Sequence, residues 1–150
     1  NESVFDAPEV RRIFIEDTDG KDLPKIPRQL RELDLVSARK VHALDARQPD
    51  AQLERVSIES ASRFDIGSLT AFPRLKSISL DRVKEIQNAN AFQDLSLDGL
   101  GLLNCGRIDD PRALADAPIG SVLVVGKLGE VLRPMIRQEY LERWEFLKRL

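Results

Sequence analysis

A single pattern limits what this chain can fold into: apolar-x-x-apolar-x-apolar, returning with a fixed step of 22 residues. From Leu53 it reads Leu53-Val56-Ile58, Leu75-Ile78-Leu80, Leu97-Leu100-Leu102, Ile119-Val122-Val124 and Leu141-Trp144-Phe146. Two earlier copies, Val10-Ile13-Ile15 and Leu30-Leu33-Leu35, fit with small changes of length. All 21 template positions are apolar in a chain that is 42% hydrophobic. Independent draws would give that with a probability on the order of 10⁻⁸, a figure that choosing the frame raises by some orders of magnitude without removing the signal.

Residues two, three and five of each copy are mostly polar or small, as in Glu54, Arg55 and Ser57 or Lys76, Ser77 and Ser79. Alternation over the last four residues of the motif is that of a half-buried strand. The remainder repeats too. Position nine holds Ala38, Ala61, Val83 and Cys105, position twelve holds Val41, Phe64, Ile86 and Ile108, and further apolar residues such as Leu69, Phe72, Phe92, Leu95 and Leu114 follow. Asp109-Asp110-Pro111 carries helix-start chemistry, because Asp accepts free amide hydrogens and Pro surrenders a donor that would be unpaired there. Each copy is expected to be a strand, a turn, a short helix or 3₁₀ segment, and a return. One such unit cannot bury its own apolar edge, so copies must stack.

From about Val10 to Phe146 the chain resembles the leucine-rich repeat family. The match is closest at Leu97-x-x-Leu100-x-Leu102-x-x-Cys105-x-x-Ile108-x-Asp110, which is similar to the cysteine-containing class of the repeat. It departs from the pattern at position nine, where many members place Asn; here Thr18, Ala38, Ala61, Val83, Cys105 and Lys127 allow no continuous Asn ladder. The resemblance implies one α/β domain over residues 1–150. Its form is a right-handed solenoid with a concave parallel sheet of about seven short strands, roughly 29 Å long at 4.8 Å per strand. The terminal copies then act as caps. The first, through Gly20 to Pro27, should hold little helix, and Gln48-Pro49-Asp50 should form a loop. The helical spacing of Leu128, Val131, Leu132, Met135 and Ile136 is interrupted by Pro134. Trp144 and Phe146 are read as covering the last open edge, with a C-terminal helix as the competing reading.

Composition narrows the function classes. Lys+Arg 23 against Asp+Glu 25 gives a net charge of -2, and no basic stripe suited to nucleic acid is visible. No apolar run is long enough to span a bilayer. Asn1-Glu2-Ser3 lacks the basic start and apolar core of a secretory signal, and the chain, which does not open on Met, is read as a trimmed or processed product. Its one cysteine excludes an internal disulfide, which favours a reducing, cytoplasmic setting.

Little in the chain suggests chemistry. The sole histidine, His42, has no second His or acid-cysteine cluster beside it and is read as a solvated turn residue. Cys105 is expected to be packed and unreactive, and helix capping accounts for Asp109 and Asp110. No phosphate-loop, nucleophile-elbow or zinc motif is present, and neither a cofactor nor a metal is expected.

The outward positions of the strands carry the remaining signal. Arg12, Glu16, Glu32, Asp34, Arg55, Glu59 and Asp81 give way to Gly99, Gly101, Leu103, Ser121, Leu123 and Val125. The expected site is an apolar centre of Leu103, Leu123 and Val125, flanked by Arg55, Glu59 and Asp81. The alternative puts Leu123 and Val125 beneath the C-terminal segment as part of an end cap. The resemblance implies a non-catalytic module that binds a protein partner on the sheet. The other readings are the substrate-recognition arm of a larger enzyme or effector, and a bacterial immunity or inhibitor protein.

Overall fold

The computed structural model describes residues 7–17, 23 and 25–150. Each copy of the motif contributes one strand to a parallel seven-stranded sheet. These are β1 (Arg12–Glu16), β2 (Glu32–Val36), β3 (Arg55–Glu59), β5 (Ser77–Asp81), β7 (Gly99–Leu103), β9 (Ser121–Val125) and β10 (Trp144–Leu147), lying side by side in sequence order. A three-stranded parallel sheet, made by β4 (Phe64–Asp65), β6 (Glu85–Gln87) and β8 (Arg107–Ile108), was not foreseen from the periodicity. It is built from position twelve, where Phe64 pairs with Ile86 and Ile86 with Ile108.

The motif sets the register. Leu33 lies opposite Val56, Val56 opposite Ile78, Ile78 opposite Leu100, Leu100 opposite Val122 and Val122 opposite Trp144. Apolar residues of successive copies thus form continuous rows, and a slip of one residue would turn a whole row to water. Every template residue of the five inner copies is buried. In the outermost copies Val10, Ile15, Leu141, Trp144 and Phe146 are only half-buried, since these copies have a neighbour on one side. The last copy forms a strand, not a helix, and Trp144 stacks on Phe146 against the core, with ring centroids 5.8 Å apart.

The turn after each strand is made by backbone. Position eight adopts a left-handed conformation at Asp17, Ser37, Ser60, Arg82, Asn104 and Gly126, with φ between 53° and 102°. At five of these residues, all but Ser37, the N–H donates to the last carbonyl of the next strand, as from Asn104 to Val125 at 2.8 Å. With the turn made there, position nine needs no Asn. Ala38, Ala61, Val83 and Cys105 point into the core, whereas Lys127 is exposed; Thr18 lies outside the described residues, as does most of the expected helix-poor stretch from Gly20 to Pro24.

Among the described residues six short helical segments return the chain: η1 (Ile66–Ala71), η2 (Ala89–Asp94), α1 (Pro111–Ala115), α2 (Leu128–Leu132), η3 (Arg133–Met135) and η4 (Gln138–Arg143). Asp110 caps α1 by accepting from the Ala113 N–H at 3.1 Å. Asp109 serves the neighbouring copy instead: its carboxylate accepts from the N–H groups of Asn88 and Ala89, at 2.7 and 3.1 Å, where η2 begins. The Asn88 side chain in turn donates to Asp65, which also accepts from the Gly67 N–H at the start of η1. Asp109→Ala orphans two amides at once and should cost about 1–2 kcal/mol by urea denaturation. Asp94→Ala, which removes an exposed carboxylate, should stay within about 0.5 kcal/mol.

Candidate functional site

The open face of the large sheet is a grid of three rows running across the strands. The middle row is Phe14, Asp34, Ser57, Ser79, Gly101, Leu123 and Glu145. On one side lie Arg12, Glu32, Arg55, Ser77, Gly99 and Ser121, and on the other Glu59, Asp81, Leu103, Val125 and Leu147. Because position is set by register, residues 22 apart in sequence become lateral neighbours.

Of the expected apolar centre, Leu103 and Leu123 are half-buried and present part of their surface. Leu123 faces Gly101, whose missing side chain leaves that flank open. Val125 does not belong to an exposed centre: it is fully buried. It stands in its row between Leu103 and Leu147. Leu147 takes its place at the half-exposed edge of the row. The end-cap alternative therefore describes Val125 but not Leu123.

The flanking charges are brought together more tightly than the spacing foretold. Arg55 is exposed, while Glu59 and Asp81 are half-buried and bridged by Arg82, whose guanidinium pairs with Glu59 and lies 3.4 Å from Asp81. Arg82 was missed because it is a position-eight turn residue, where the strand alternation no longer applies. It is also the bulkiest side chain among the left-handed turns, a conformation that costs most residues roughly 1–2 kcal/mol. At the other end Arg12 pairs with Glu32 and Asp34 at 3.3 and 3.1 Å. Phe14, beside it, is 60% exposed and was not singled out either, although position five already marked it as outward.

Two kinds of glycine occur here. A Cβ on Gly106 would lie 2.3 Å from the Lys84 carbonyl oxygen, and one on Gly120 would lie 2.7 Å from that of Asp98, so close backbone approach requires both. At Gly99 and Gly101 the nearest atoms would be the hydroxyls of Ser121 and Ser79, at 3.8 and 3.7 Å, which is ordinary contact. Neither has a left-handed backbone. Packing therefore does not demand these two, and in a strand each costs roughly 0.5–1 kcal/mol relative to Ala.

Reactive groups are held in structural roles. His42 Nε2 lies 3.3 Å from Ser62 Oγ, but that hydroxyl donates to the Arg39 carbonyl at 3.0 Å. Cys105 is buried and its Sγ donates to the Leu80 carbonyl at 3.3 Å. Burial pushes the thiol up to about 11, against the smaller opposing pull of nearby backbone donors. Glu85 is held below the usual carboxylate range by the Gln87 amide and then by Arg107, 2.6 Å away. Among the described residues no group of three or more His, Cys, Asp or Glu converges to hold a metal, and no helix is long and apolar enough to cross a membrane.

An open recess of about 640 Å³ lies where β9 and β10 end against α2, lined by Gly126, Lys127, Arg133, Phe146, Leu147 and Lys148, among others. Gly129, which also lines it, has room for no Cβ without displacing the Phe146 ring, 3.0 Å away.

Two predictions follow from these environments. Gly101→Ala should leave stability unchanged or raise it by up to about 1 kcal/mol, whereas Gly106→Ala should lower it by roughly 2 kcal/mol or more in the same urea titration. Between the ordinary thiol pKa of 9.0 and about 11, the unfolded chain releases the Cys105 proton while the folded chain keeps it. Stability should therefore fall as pH rises through that window, by up to about 2–3 kcal/mol, and Cys105→Ala should remove that part of the slope. Comparison of the chain with known protein families, with curated proteins and with solved structures finds no match to any of them.

Proposed function

We propose that the chain is a leucine-rich repeat solenoid, a right-handed coil whose seven-stranded sheet forms the concave side, and that this side binds a protein partner without catalysing a reaction. The reading belongs with a reducing, cytoplasmic setting, in which Cys105 stays a packed thiol. Leu103, Leu123 and Leu147 provide the apolar contact, Gly99 and Gly101 its floor, and Glu59, Asp81 and Arg55 the polar margin that sets register.

The observation that carries this reading is the pair of glycines at 99 and 101. They weaken β7 without serving its backbone or its packing, and they do so in the middle of the open face beside half-exposed leucines. Bare backbone in a strand lets another chain approach closely. Half-buried leucines beside such a floor gain about 25 cal/mol for each Å² that a partner covers, and charges at the margin favour one orientation over others.

The test is capture from the source organism with wild type and with Leu123→Asp, each first shown by circular dichroism to be folded. The expected result is a protein retained by wild type and lost by the variant, with Leu123→Ala reducing its affinity about tenfold. Equal retention by wild type and Leu123→Asp would remove the site from this face.

A further inference from the structure

We infer that the recess between α2 and the end of β10 is a second binding site, one that takes an acidic peptide segment bearing an apolar side chain. It shares only Leu147 with the open face and stands apart from the reading of that face.

Three observations carry it. The first is charge. Lys127, Arg133 and Lys148 line the recess against one acidic side chain, Glu130, in a chain whose net charge is -2. Some cations elsewhere are paired: Arg12, Arg28 and Arg107 each have a carboxylate within 3.3 Å, and Arg82 pairs with Glu59. Among the described residues neither Lys127 nor Lys148 has an ion-pair partner, and Arg133 lies over the Phe146 ring, 5.7 Å from its centre. Like charges gathered without counter-ions repel one another, so an incoming carboxylate relieves that repulsion as well as forming new pairs.

The second is the wall. Phe146, Leu147 and the bare backbone of Gly126 and Gly129 give the recess an apolar wall, and Arg133 packs over the Phe146 ring of that wall. In the inner copies the position-nine side chain is buried, as at Val83 and Cys105. In the sixth copy that position is Lys127, exposed at the entry to α2, and Cys105 is left as part of the lining. An aliphatic side chain suits the apolar wall, and a carboxylate suits Lys127, Arg133 and Lys148.

The third is access. The recess opens at the rim of the sheet, and Leu147 belongs both to its wall and to the outward row of Leu103 and Val125. An extended chain passing over the rim meets it without any rearrangement, which favours a peptide over an enclosed small molecule.

The chain contains one tryptophan, and Trp144 stacks on Phe146 with an interplanar angle of 12°, so filling the recess perturbs a single fluorophore. The experiment titrates the folded protein with a capped tetrapeptide of alternating glutamate and leucine, and separately with its lysine–leucine counterpart and with inorganic phosphate. The expected result is a saturable change in Trp144 emission with the acidic peptide alone, weakened by added salt. Lys148→Glu and Arg133→Glu, both at exposed positions and checked by circular dichroism, should each weaken it by about tenfold or more. Leu123→Asp, which leaves the recess intact, should retain it, so that this site and the open face stand or fall separately. The inference is overturned if both peptides act alike or neither acts, if phosphate alone reproduces the change, if both charge reversals leave it intact, or if Leu123→Asp abolishes it.

Discussion

Everything in this molecule rests on the lateral contact between apolar side chains that occupy the same place in successive copies of the motif. A five-residue strand with two inward residues has no core of its own. Leu33 on Val56, Val56 on Ile78 and Ile78 on Leu100 supply one by contact with the next copy. Backbone hydrogen bonding of the parallel sheet and the apolar rows impose the same register, so neither can slip without breaking the other. The outward grid is a by-product of that agreement. Residues distant in sequence become neighbours because their inward companions must be.

The same constraint explains what could be read from the chain beforehand. The α/β character, the seven parallel strands and the core were legible because the apolar positions recur strictly and their spacing alone determines which face each residue takes. The left-handed turn at position eight was not, since Asp17, Ser37, Ser60, Arg82, Asn104 and Gly126 share a backbone conformation and no side chain. Attention to position nine missed a turn that the preceding residue makes. The second sheet was hidden for a related reason: two-residue strands such as Phe64–Asp65 are too short to show alternation.

Alternation assigned the candidate residues to their rows but not their exposure. Alternation placed Leu103, Leu123 and Val125 on the outward face, and all three occupy the registers expected. Whether an outward residue is exposed depends on what stands beside it, and for Val125 that is Leu147, in a copy whose strand competed with a helix as a reading. Arg82 escaped because a turn residue carries no alternation to betray its side, yet its side chain folds back onto Glu59 and Asp81. Gly99 and Gly101 were visible as small residues. That they are dispensable to the fold needed the distances to their neighbours, which distinguish them from Gly106 and Gly120.

The carboxylate of Asp109 has a consequence beyond the helix it caps. It belongs to the fifth copy of the motif but satisfies amides of the fourth, whereas Asn88 of the fourth copy makes a side-chain bond to Asp65 of the third, which already caps its own segment. Support here is unequal in the two directions along the chain. Loss of the fifth copy exposes the helix start of the fourth, while loss of the third leaves that start fully bonded. At this junction the amides that open η2 therefore depend on the copy that follows them and not on the one that precedes them.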